Sequence, residues 1–196
     1  GFLFIPLITD ILLRLGIDKS HLLSENYVTK MEKVLDGAAR EEFGMMEKGE
    51  HIANCIKMQH EAIADQEWVN EIVKHFSGGG DLPHQQPFAA LQRADTFLFS
   101  MFFLPVDKKT GNAIFKYWFA MISFFLTLDD VEDFESDQQT GEMNVVIEAG
   151  TERVHQLLQD SITTIAEINP AMSAYMTTLL QKLGITSKLN TITVSR

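Results

Sequence analysis

Apolar positions recur every three to four residues along most of this chain, the period of helices that bury one face. Residues 2–16, FLFIPLITDILLRLG, predict a first apolar helix closed near Gly16. Ser24 is placed to cap a second helix running to about Lys48, with Tyr27, Met31, Val34, Leu35 and Ala38 as its apolar stripe. Gly44 and Gly49 weaken the far end of that helix. A third helix is predicted over His51–Phe76, with Ile52, Cys55, Ile56, Ile63, Val69 and Ile72 inward. The stretch SGGGDLPHQQP at 77–87 then breaks the pattern with three glycines and two prolines.

Beyond the break, a fourth helix is predicted over Phe88–Leu104, and a fifth from about Asn112 to Glu135. The fifth contains IFKYWFAMISFFLTL, apolar on nearly all sides, so it should be the central buried helix. A sixth is predicted over Met143–Ile168, and a seventh starts at Asn169-Pro170 and closes at Gly184. The tail SKLNTITVSR reads as a frayed end or a short extended segment. No alternating run is long enough to support a sheet. The expected fold is all-α, an antiparallel bundle of about seven helices, with residues 1–196 as a single helical domain.

Composition changes the picture little. Apolar residues make up 45 % and charged residues 22 %, the values of an ordinary globular chain. Phe and Met are abundant, at 14 and 9, which suits a bulky, adaptable core or the wall of an apolar pocket. The net charge of −11 argues against nucleic acid as a partner. The single cysteine, Cys55, excludes an internal disulfide framework and reads as a small core residue; the expected compartment is the cytoplasm. The N-terminal apolar stretch is interrupted by Pro6, Thr9, Asp10 and Arg14 and is too short to span a bilayer. It reads as a buried first helix, with a peripheral membrane contact or a docking segment as the alternative.

Candidate chemistry concentrates at the end of the fifth helix. Seven of the fourteen residues from Asp129 to Glu142 are acidic and none is basic. A helix advances about 100° per residue, so Asp133 falls about 40° from Asp129, and Asp130 and Asp137 share the same arc. Carboxylates at a helix C-terminus are each unfavourable by about 0.3–1 kcal/mol, and i,i+4 repulsion adds to that. Water, a Lys or Arg from elsewhere, or a divalent cation must compensate. Arg93 and Lys116 are the candidate cations. The six histidines form no HExxH motif, Gly78–Gly80 is not followed by the Lys-Ser/Thr of a P-loop, and no Gly-x-Ser-x-Gly is present.

The segment FFLTLDDVEDFESDQQTGE resembles the first aspartate-rich region of the class I isoprenoid synthases, in which an aromatic helix runs into DDxxD. Gln138 and Gln139 stand near the place of the family's paired arginines, and no second aspartate-rich motif follows residue 142. The resemblance implies a helical bundle around an apolar cavity, with Mg²⁺ at its mouth binding a prenyl diphosphate. It implies Asp129, Asp130 and Asp133 as metal ligands and Phe125 in the wall of the substrate cavity; Arg93 would help hold the diphosphate in that reading and is otherwise a plain salt-bridge partner. Ionisation of the diphosphate for transfer or cyclisation is the chemistry that would follow. A homodimer is a further expectation. The alternative is a non-catalytic helical interaction protein with an apolar N-terminal docking segment.

Overall fold

A computed structural model of the chain describes residues 4–192. The fold is all-α, with no strand among the described residues. The described chain divides into two compact units, one of residues 4–83 and 94–115, the other of residues 84–93 and 116–192.

The first unit opens with α1 (Phe4–Arg14), whose Ile8, Ile11 and Leu12 are fully buried. Leu13 of the same helix is 43 % exposed. A short α2 (Lys19–Leu22) leads to α3 (Glu25–Glu42). Ser24 caps α3 as its sequence position predicts, its Oγ accepting from the Tyr27 N–H at 3.3 Å. The helix predicted over His51–Phe76 is three pieces: α4 (Glu50–Lys57), a 3₁₀ turn (Met58–Glu61) and α5 (Gln66–Phe76). Two local demands break it. Asp65 accepts from the N–H groups of Glu67 and Trp68 at 3.0 and 3.1 Å, starting α5 afresh. The N–H groups of Ile63 and Ala64 both turn to the Phe102 carbonyl. As a result Ile63, expected inward, is 55 % exposed.

The segment predicted as an α-helix over Phe88–Leu104 contains two 3₁₀ stretches instead, Ala89–Leu91 and Asp95–Phe103. Long 3₁₀ runs are uncommon. Here tertiary partners claim the backbone: the Phe102 carbonyl serves residues 63 and 64, and the Ala90 N–H donates to Glu148. The second stretch is buried at every position except Thr96 and supplies Phe99 and Phe102 to an aromatic cluster. Phe99 stands 4.7 Å from Phe76 and 5.4 Å from Phe102 between ring centroids, and Trp68 stands 5.5 Å from Phe115. Gly111 makes room for that indole: a Cβ there would lie 2.4 Å from Trp68 Cδ1.

The central helix α6 runs Lys108–Glu132, with residues 108–115 in the first unit and 116–132 in the second. By length and composition it could cross a membrane, yet 72 % of its most apolar window is buried inside the protein, the signature of a core helix. In the second unit it is followed by α7 (Phe134–Thr140), α8 (Val145–Ala149), α9 (Thr151–Ala166), α10 (Pro170–Lys182) and α11 (Ile185–Thr191). The predicted sixth helix is split into α8 and α9 by Gly150, whose φ of +78° few other residues adopt. Asn169 caps α10 by accepting from the Met172 N–H at 3.0 Å, with Pro170 in its first turn. The tail is helical through Thr191 rather than extended; residues 193–196 lie outside the described part.

Candidate functional site

The acidic end of α6 is built from residues of the second unit alone. Trp118, Phe119 and Phe124 pack inward along α6 and fix its rotation. That rotation turns Asp130 into the protein, with 1 % of its side chain exposed, and leaves Asp129 outside at 66 %. The helix kinks at Asp133, but the Asp133 N–H still donates to the Asp129 carbonyl at 2.9 Å, so the helical turn carries through. Asp133 is exposed. The i,i+4 spacing read from the sequence therefore survives for Asp129 and Asp133.

Arg93 provides the compensating cation. Its Nη2 donates to Asp130 Oδ1 at 2.8 Å and to Asp129 Oδ2 at 3.2 Å, while Nη1 donates to the Ala90 carbonyl at 3.0 Å. Lys116, the other candidate cation, pairs with Glu167. The second oxygen of Asp130 accepts from the Val145 N–H at 2.6 Å, at the first turn of α8.

Asn144 completes the corner. Its Nδ2 donates both to the Asp130 carbonyl at 2.7 Å and to Asp137 Oδ2 at 2.8 Å, and its Oδ1 accepts from the Val146 N–H at 2.9 Å. Both amide hydrogens and the amide oxygen are thus engaged. The sequence pattern starts a helix at Met143 and so passes over Asn144. The readable signal was an Asn directly before the apolar Val145-Val146, an N-cap pattern.

Asp130 departs from the expected metal set. Both of its oxygens are held by protein donors, and it is buried. Burial pushes its carboxyl above the usual carboxylate range, the Asp129 charge adds to the rise, and Arg93 and the Val145 N–H only partly oppose it. Among the described residues, no group of three or more His, Cys, Asp or Glu side chains is arranged to hold a metal. Asp129 and Asp133 fit a more modest requirement. Mg²⁺ is commonly held by one or two carboxylates together with phosphate oxygens and water.

Phe125 is half-buried and stacks edge-on against the fully buried Phe124, with centroids 5.2 Å apart. Further back along α6 lies a cleft of about 240 Å³, bordered by Gln86, Lys116, Ser123, Asp160, Ser161 and Thr164 among others. Its lining is mainly polar, and neither Phe125 nor any of the three aspartates borders it. Gln138 and Gln139 are exposed on α7. No family profile, no curated protein and no solved structure matches this chain.

Proposed function

We propose that the acidic end of α6 binds the metal-chelated diphosphate headgroup of an isoprenoid, the substrate class that the resemblance to class I isoprenoid synthases implies. The observation that supports this is a pair of exposed carboxylates one helical turn apart, Asp129 and Asp133, of which Asp129 pairs with the guanidinium of Arg93. In this reading Asp129 and Asp133 hold Mg²⁺, and the prenyl chain runs over Phe125. Bound Mg²⁺ would supply neutralisation of the charge on a leaving diphosphate. Arg93 donates to phosphate oxygens by exchanging its 3.2 Å contact with Asp129 for the ligand while keeping the 2.8 Å contact with Asp130. Asp130 is then a positioning residue that aims Arg93.

One observation favours a second reading, a non-catalytic helical interaction protein: Asp130 and Asn144 already saturate each other's neighbourhood, as a purely structural corner would. Isothermal titration with Mg²⁺ and a non-hydrolysable farnesyl diphosphate analogue separates the two. The proposal expects binding that requires Mg²⁺ and is lost in Asp129→Asn/Asp133→Asn. No heat at millimolar ligand, in protein shown to be folded, leaves the structural corner alone.

A further inference from the structure

The first unit contains a buried polar contact that the acidic end of α6 does not involve. His51 and Cys55 lie one turn apart on α4, at 4 % and 2 % exposure. The ring nitrogens Nδ1 and Nε2 of His51 stand 3.6 and 3.7 Å from Cys55 Sγ. Among the described residues neither nitrogen has an oxygen or nitrogen partner, which is unusual for a histidine withdrawn from water.

The neighbouring helix accommodates this ring. Gly37 sits inside α3, where a glycine is unfavourable by about 1 kcal/mol relative to alanine. A Cβ at that position would lie 2.2 Å from His51 Nδ1. Beside the pair is a cleft of about 180 Å³, and the other sulfur-bearing residues that line it are Met46 and Met58. The charged residues of its lining are Lys33 and Asp36, and Asp36 pairs with Arg40 at 3.9 Å on the exposed surface.

We propose that His51 and Cys55, with the thioethers of Met46 and Met58, form a binding site for monovalent copper. The donor set is one imidazole, one thiolate and two thioethers, soft ligands that favour Cu(I) over hard cations. The spacing suits a shared ion. With metal–sulfur and metal–nitrogen bonds of about 2.3 and 2.0 Å, the Nε2–Sγ separation of 3.7 Å corresponds to an N–metal–S angle of about 119°, close to trigonal; Nδ1 faces Gly37 and is not the ligand atom. Met46 and Met58 line the same cleft and would supply the two further sulfurs that a lone His–Cys pair lacks.

The test is anaerobic titration of the reduced protein with Cu(I) against a chromophoric copper chelator such as bicinchoninate. One equivalent should be retained, with sulfur and nitrogen neighbours in X-ray absorption. Cys55→Ser should surrender the copper to the chelator. Met46→Leu/Met58→Leu conserves volume, keeps the fold testable by its melting temperature, and should weaken retention. Transfer of all copper from the wild-type protein to the chelator overturns the proposal. So does a Cys55→Ser protein that retains copper equally, since exposed methionines elsewhere would then explain the uptake. Unchanged retention in the Leu pair removes the thioethers from the site and overturns the four-donor assignment.

Discussion

The carboxylate of Asp130 and the imidazole of His51 are both nearly withdrawn from water, and their surroundings are opposite. Asp130 has a guanidinium on one oxygen at 2.8 Å, a backbone N–H on the other at 2.6 Å, and Asn144 on its carbonyl. His51 has a single sulfur at 3.6 Å and an open cleft. A saturated buried group is a strut, because any ligand must first displace good hydrogen bonds. An undersaturated one has free capacity for a ligand. The same distinction separates two neighbours in sequence. Asp129 and Asp130 look alike in DDxxD, yet one faces water and the other ties α6 to the start of α8.

The largest effect that could break this comparison comes from deleting the strut. Asp130→Ala leaves the Val145 N–H buried without an acceptor and Arg93 without its closest partner. The expected loss is about 3 kcal/mol in urea unfolding; a loss below about 1 kcal/mol would mean that the corner is not structural. The pH dependence has a definite sign. The carboxyl of Asp130 is raised in the folded protein, so its linked stability is full below the ordinary carboxylate range and declines as pH rises through the raised value. The melting temperature of wild type should gain on that of Asp130→Asn as pH falls from 7 to 4.

Next in size is Asn144→Ala, expected at about 2 kcal/mol, since it orphans the Asp130 carbonyl and removes the cap of α8. Gly37→Ala probes the other corner. On an open helix face that change would stabilise by about 1 kcal/mol. Here it should destabilise by about 1–2 kcal/mol, because the new methyl meets His51 and the packed ring must move. A stabilised Gly37→Ala protein would show that the imidazole is loosely held. The smallest change should be Asp129→Asn, under about 1 kcal/mol for an exposed ion-pair partner.

Much of this was legible in the sequence where the signal is local. The helical period, the Ser24 cap, the Asn169-Pro170 start and the turn at Gly184 depend on neighbours within a few residues, and the structure shows each of them. The 3₁₀ stretch over Asp95–Phe103 was not legible, because its backbone groups are claimed by residues some forty positions away. The acidic run could be read as needing a cation, and Arg93 meets that need. Which aspartate faces inward could not be read, because α6 is apolar on nearly all sides and its rotation is set by packing. The His51–Cys55 contact follows i,i+4 spacing, but its meaning depends on Gly37 of another helix.

The most direct measurement is side-chain carboxyl ¹³C NMR of Asp129, Asp130 and Asp133, followed while Mg²⁺ and the farnesyl diphosphate analogue are added. Shifts at Asp129 and Asp133, with Asp130 unmoved, are the result predicted by a strut flanked by two ligands. Equal shifts at all three would mean that Asp130 leaves Arg93 and Val145 to bind metal, and shifts at none would mean that this helix end binds no headgroup; either would contradict the division between Asp130 and its neighbours on which the proposed function rests.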